Sequence, residues 1–253
     1  MSGSSEVPTV DLLGSPMSAL LHAVPVIRSR TGREVVLIGG LAVVCRLARP
    51  YRATSDLDTV NRRGENETPQ LELLLASGVQ RSGPAGVLVP TDAGLVQVDV
   101  LEVTDAELAC LPDDPTDRLH VLSHAWASAT ATPVLMRAEG VTELQVKVAQ
   151  PGPLVAMKLQ SIMNRGSAKE ATDLLDILRL SFDPESGPLL RKQLAEAEPQ
   201  LRTDAALHAQ RFFGTHVARS RRIIQALPDG QGTELDDLRL VGELLERALS
   251  EPA

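Results

Sequence analysis

The period of hydrophobic and polar positions changes several times along this chain, and each change marks an element. Val35 to Ile38 is a run of four apolar residues, the length of a short buried strand. Gly39 and Gly40 follow, and Leu41 to Leu47 predicts a short apolar helix that Arg49-Pro50 ends. Asp56-Leu57-Asp58-Thr59-Val60 alternates with period two, as a strand does. Thr68-Pro69 opens a helix through about Ala76. Val87–Val89 and Leu95–Val103 read as strands of a hairpin around the Thr91–Gly94 turn. Pro133–Ala138 and Leu144–Val148 read as two more strands around Glu139-Gly140. Upstream, Ser15-Pro16 starts a helix that Pro25 interrupts, and residues 1–15 read as a frayed arm. Ala106 to Ala125 shows no clear period beyond a loop at Pro112–Pro115.

Pro151-Gly152-Pro153 marks a boundary. Beyond it the period is helical throughout. A helix runs from Pro153 to about Arg165, Gly166-Ser167 breaks it, and Lys169 begins the next. Leu189–Ala197, Leu201–Leu227 and Leu235–Leu249 continue the series. The pattern predicts an α/β domain over 1–150 and a helical domain over 151–253.

Composition adjusts this picture in a few places. Apolar residues make up 43% of the chain and aromatics 2%, so the core is aliphatic. Scarce aromatics argue against a binder that stacks single-stranded bases. Cys45 and Cys110 are too few and too far apart for a metal site or a disulfide framework. The N-terminus lacks a basic-then-apolar leader pattern, and no run reaches the length of a membrane span, so a cytoplasmic protein without membrane contact is expected. The net charge is −8, unevenly spread: residues 151–227 carry 11 Lys or Arg against 8 Asp or Glu, and the remainder 14 against 25. A mildly basic C-terminal part permits nucleic-acid contact without requiring it.

The candidate chemistry lies in the first half. Gly39 and Gly40 stand at a predicted helix N-terminus, where free N–H groups suit a phosphate; a tight turn between core elements is the alternative. Asp56 and Asp58, two apart on a strand, point to one face, where they repel unless a cation lies between them. A solvated loop would also hold two acids. Asp99 weighs against that alternative, because a charge at the centre of an apolar strand is costly unless paired or bound to metal. Three carboxylates of this kind can hold two Mg²⁺ ions roughly 3.5–4 Å apart. Arg52, four residues before Asp56, suits either a salt bridge that steadies the acidic strand or a nucleotide phosphate. In the second half, Lys158 reads as a lysine snorkelling from a core helix, and Lys169 with Asp173 as a surface i, i+4 pair. His120 and His124 have no further ligand nearby and read as structural. Arg211, Arg219, Arg221 and Arg222, with Phe212 and Phe213, form either a solvated helix face or an RNA-facing ridge. The last helix either closes the bundle or meets a partner.

The run Gly39-Gly40, Arg52-x-Thr54-x-Asp56-x-Asp58 and Asp99 resembles the polymerase-β-type nucleotidyltransferase superfamily. Its Arg-x-Thr-x-Asp-x-Asp form is similar to the AbiEii-type toxins of abortive-infection and toxin–antitoxin systems, including the MenT toxins. A second block, Met157-Lys158-Leu159, Arg165 and Lys169-Glu170-x-x-Asp173-Leu174-x-Asp176, resembles the second motif of that family. Together the blocks span about residues 35–180. MenT toxins often carry Ser-x-Asp where this chain has Asp56-x-Asp58, so the sequence stands nearer the general superfamily form.

The resemblance implies a polymerase-β-like nucleotidyltransferase core with a mixed sheet, followed by a helical domain that completes an active-site cleft. It implies Mg²⁺-dependent (or Mn²⁺-dependent) transfer of a nucleoside monophosphate from an NTP to a hydroxyl, with a tRNA 3′ end or a protein hydroxyl as acceptor. A cognate antitoxin would be a partner. Asp56 and Asp58, with Asp99, would hold metal; Gly39, Gly40, Arg52 and Lys158 would contact the nucleotide; Asp173 would orient the acceptor hydroxyl or take its proton. Two rivals remain: a small-molecule nucleotidyltransferase of the antibiotic-modifying kind, and a non-catalytic nucleotide-binding module of the same fold.

Overall fold

The structure, a computed structural model, describes residues 7–163 and 167–250. Arg165 of the second motif and Gly166 of the predicted helix break lie outside the described residues, as does the first part of the N-terminal arm. The chain divides into two compact units. Unit 1 comprises residues 1–45, 53–106 and 127–149, and unit 2 comprises 46–52, 107–126 and 150–253. The predicted first domain, 1–150, therefore contains two segments that fold with the helical unit.

Unit 1 is built on an eight-stranded mixed sheet. In chain order its elements are β1 (Thr9–Leu12), α1 (Ser15–Thr31), β2 (Val36–Leu37), α2 (Gly39–Arg46), β3 (Asp56–Arg63), α3 (Gln70–Ala76), β4 (Gln80–Arg81), β5 (Gly86–Thr91) and β6 (Gly94–Thr104). The last two strands are β7 (Thr132–Ala138) and β8 (Val141–Val148). The sheet order is β1-β7-β8-β2-β3-β6-β5-β4. β3 runs parallel to β6 and antiparallel to β2, so the acid-bearing strands are central. α1 packs on β5, β6, β7 and β8, and α3 packs on β5, β6 and α1. Leu20, Leu21, Ala23, Val24 and Ile27 supply the buried stripe of α1.

Two expectations for this unit need correction. Residues 9–12 are not frayed: β1 is an edge strand parallel to β7, and the Leu135 N–H donates to the Pro8 carbonyl (2.9 Å). Leu12 is buried, and that burial ties the arm down. Pro25 does not interrupt its helix either, since α1 continues to Thr31. Its ring is solvent-exposed, and the helix carries it with the loss of one backbone hydrogen bond.

Unit 2 holds α6 (Pro151–Ser161), α7 (Ser167–Phe182), α8 (Ser186–Ala195), α9 (Pro199–Ala209), α10 (Val217–Gln225) and α11 (Leu235–Ser250). The stretch without a period yields α4 (Asp105–Ala109) and α5 (Pro115–Thr130), of which residues 107–109 and 115–126 belong to this unit. The predicted single helix Leu201–Leu227 is three pieces, because a π-helical turn at Gln210–Thr215 separates α9 from α10. That wide turn buries the consecutive Phe212 and Phe213, and Gly242 of α11 approaches Phe213 closely. The phenylalanines are core, not part of an RNA ridge. Beside them Arg219 is bound to Glu170, and Arg221 lies 3.3 Å from Glu234. α11 packs on α7, α8, α9 and α10 and closes the bundle.

Among the described residues no helix is long and apolar enough to cross a membrane. Cys45 is buried, as its apolar helix implies, and Cys110 is exposed. The His120 and His124 rings pack tilted at 40° with centroids 4.0 Å apart, and His124 Nδ1 donates to the His120 carbonyl (2.7 Å).

Candidate functional site

In unit 1 the sheet register decides what the acids can do together. Asp58 pairs with Asp99, and Asp56 with Gln97, across the parallel β3–β6 ladder. Partners in a parallel ladder point to the same face, so Asp56, Asp58, Gln97 and Asp99 share one face of two central strands. The alternate residues Leu57 and Val98 are fully buried, while the three acids are half-buried. The apolar alternation thus holds the strands in register and presents the carboxylates at the surface.

Glycines make room for two of these carboxylates. The Ile38 N–H donates to the Asp58 carbonyl (3.0 Å), which brings the next residue, Gly39, alongside Asp58. Gly39 opens α2 with φ of 64°, and a Cβ there would coincide with the Asp58 carboxylate. Only glycine takes that angle without strain and leaves that space. On β5, Gly86 is the register partner of Asp99. A Cβ on Gly86 would stand 2.7 Å from Asp99 Oδ1 and 2.5 Å from Gln97 Nε2. Gln97 Nε2 donates to Asp99 Oδ1 (2.8 Å), and the Ser55 hydroxyl donates to Asp56 Oδ1 (3.0 Å).

This donor set fits Mg²⁺ chemically: it is all hard oxygen, on one half-exposed face, with glycine space beside it. Among the described residues no group of three or more His, Cys, Asp or Glu forms a ready-made cage. Mg²⁺ does not require one, since it binds through one or two carboxylates together with waters and substrate phosphates. Gly40 lies in the first turn of α2, where backbone N–H groups are unpaired by the helix itself.

The residues of the second motif come together inside unit 2. Lys158 on α6 is buried, not snorkelling. Its Nζ lies 2.7 Å from Asp173 Oδ1 and 2.6 Å from Asp176 Oδ2, both on α7. Asp173 and Asp176 are three apart, hence on one side of the helix. Asp173 is therefore buried towards α6, and the surface pair with Lys169 is not its setting. The Ser161 hydroxyl donates to Asp173 Oδ2 (2.9 Å). Asp176, 0% exposed, is the hub: Arg52 grips it with Nε (3.0 Å) and Nη2 (2.8 Å), and the Tyr51 hydroxyl donates to it. Two cations and two carboxylates thus balance in a dry setting, which a buried charge requires.

The electrostatics follow. Burial alone would raise the Asp176 carboxyl, but Lys158 and Arg52 outweigh it and hold the group below the usual carboxylate range. Burial alone would lower the Lys158 ammonium, yet Asp173 and Asp176 push it above its ordinary value. Burial and the neighbouring Asp176 raise the Tyr51 phenol, so Tyr51 stays protonated and donates to Asp176.

Segment 46–52 is fastened elsewhere in the same unit. The Ala48 N–H donates to Asp183 Oδ2 (2.8 Å), and the Ser186 hydroxyl donates to the Arg46 carbonyl. Segment 107–126 is fastened by Arg118, which grips Asp204 through Nε (2.8 Å) and Nη2 (2.7 Å).

Sequence reasoning named Asp56, Asp58 and Asp99, and the structure places them on one face. It also named Arg52, Lys158 and Asp173, which the structure gathers around Asp176. Tyr51, Gln97 and Gly86 were missed. Gln97 carried a usable signal, since it stands two residues before Asp99 and so on the same strand face. A scan of protein-family models gives no match, and a search among curated proteins gives none either.

Proposed function

We propose that the chain is a nucleotidyltransferase of the polymerase-β type, transferring a nucleoside monophosphate from an NTP to a hydroxyl, and that it acts as a growth-inhibiting toxin of the AbiEii kind. The observation that carries this reading is the acid face of β3 and β6: Asp58 and Asp99 in register, Asp56 beside them, and Gly39 making room at Asp58. Asp56, Asp58 and Asp99 would hold Mg²⁺, which when bound supplies positive charge against the triphosphate. Gly39 and Gly40 leave backbone space and N–H groups for phosphate oxygens. The acceptor oxygen attacks the α-phosphorus and a P–O bond forms. The bond from that phosphorus to the α,β-bridging oxygen breaks, and pyrophosphate leaves. The acceptor's proton passes to a carboxylate of the acid face and from there to solvent.

Lys158 and Asp173 enter as positioning residues rather than as groups that touch substrate. Each is buried, and each already has an ionic partner. Through Asp176 they hold Arg52, which stands four residues before Asp56 in the chain.

A second reading concerns the acceptor. Buried Phe212 and Phe213, with Arg219 and Arg221 on carboxylates, leave Arg211 and Arg222 as the exposed cations of the RNA ridge that the C-terminal helices suggested. That favours a small-molecule hydroxyl over a long RNA surface.

The test is incubation of the purified protein with Mg²⁺ and each labelled NTP in turn, against total RNA, total protein and a small-molecule extract. Label should appear in one acceptor class with the wild type and vanish with Asp58→Ala. No transfer from any NTP to any class would sink the reading, and the class labelled chooses between the two acceptors. Expression of the wild type beside Asp58→Ala in a host cell tests the toxin reading: growth arrest should depend on Asp58.

A further inference from the structure

Gln97 is the neutral member of the acid face, and its position is constrained on three sides. Across the parallel ladder it stands beside Asp56. Along its own strand it donates from Nε2 to Asp99 Oδ1 at 2.8 Å. Across the antiparallel ladder, Gly86 leaves the space that this pair occupies, because a Cβ there would crowd Gln97 Nε2 and Asp99 Oδ1 together. An ionised carboxylate only accepts, so the amide must turn its nitrogen to Asp99. The Ser82 carbonyl, closer still to the same Cβ position, asks for glycine at 86 as well, but nothing in the strand's own stability calls for glutamine at 97, where a β-branched residue would serve the ladder better.

We propose that Gln97, seated by Gly86, is a positioning residue for Asp99: it ties down Oδ1, fixes the carboxylate plane and leaves the other oxygen to a divalent cation. This inference rests on the acid face being a cation site, as the function above requires. Hydrogen-bond partners behind a metal ligand commonly set affinity by about 10–100-fold. They act by holding the ligand in its binding geometry before the ion arrives. Loss of the Gln97 donor should therefore weaken cation binding while leaving the fold in place, since Gln97 is half-exposed.

The measurement is Mn²⁺ binding to the full chain by electron paramagnetic resonance, without nucleotide and with a non-hydrolysable NTP, for wild type, Gln97→Met and Asp58→Asn. Methionine keeps the length of glutamine and lacks the donor. The expected result is a Mn²⁺ Kd about ten-fold or more higher in Gln97→Met, with an unchanged thermal midpoint. In the transfer assay the metal requirement should rise by the same factor, with kcat regained at saturating Mn²⁺. Gln97→Thr, which suits a strand and cannot reach Asp99, guards against a folding defect peculiar to methionine and should give the same shift. Equal Mn²⁺ affinity in the wild type and both Gln97 variants overturns the role of Gln97 while the acid face stands. A wild type with no Mn²⁺ site that Asp58→Asn removes, either without nucleotide or with the non-hydrolysable NTP, overturns the cation site itself, and the inference with it.

Discussion

At the scale of single residues, Asp176 carries the most consequence for stability. It is wholly buried and holds Tyr51, Arg52 and Lys158 at once. Asp176→Ala removes the carboxylate that Arg52 grips and one of the two counter-charges of Lys158. Breaking a buried pair in this way costs about 3–5 kcal/mol, which urea unfolding would register. The pH dependence has a definite sign. The Asp176 carboxyl is depressed in the folded state, so its contribution is present above the ordinary carboxylate pKa of about 4 and is lost as pH falls through the lower folded value. Lys158 is raised, so its contribution is present below the ordinary lysine value and lost as pH rises through the higher folded one. Unfolding free energy measured against pH should fall off at both extremes in the wild type, and Asp176→Asn should flatten the acid limb. Asp176 was legible as an acid set in the apolar run Asp173-Leu174-Leu175-Asp176-Ile177-Leu178. Its partners were not, because Arg52 lies 124 residues away and local periodicity says nothing about such a pairing.

At the scale of elements, the strand–glycine–helix corner from β2 into α2 makes the sharpest prediction. Gly39→Ala meets two obstacles, a left-handed φ and the Asp58 carboxylate in the path of the new methyl. The backbone strain alone is worth about 1–2 kcal/mol. Urea unfolding should show at least that loss, and Mn²⁺ affinity should drop with it because Asp58 must move. The alternation of β3 and β6 was readable from sequence, because apolar residues on one side and acids on the other leave few other arrangements. β1 was not readable, since four residues near a terminus carry too little pattern against a polar background. Truncation before residue 13 should nevertheless lower the thermal midpoint, as it strips β7 of a parallel neighbour and removes buried Leu12.

At the scale of the whole molecule, the helical unit is not a contiguous stretch of chain. The path passes from one unit to the other at 45/46, 52/53, 106/107, 126/127 and 149/150. A fragment of residues 150–253 would carry buried Asp176 with Lys158 but without Arg52, and buried Asp204 without Arg118. It should fail to give a cooperative thermal transition, and adding segments 46–52 and 107–126 as peptides should not restore one at micromolar concentrations. The Pro151-Gly152-Pro153 boundary was visible because proline and glycine punctuate a change of period. In the two earlier segments Pro50 and Pro112–Pro115 read only as a helix end and a loop, since membership of the helical unit is decided by distant salt bridges and not by composition. The interleaving has a further consequence on the ribosome, where the chain emerges from one end only. Arg52 leaves the tunnel 124 residues ahead of Asp176, so at roughly 5–20 residues per second the guanidinium waits about 6–25 s for the carboxylate that will bury it.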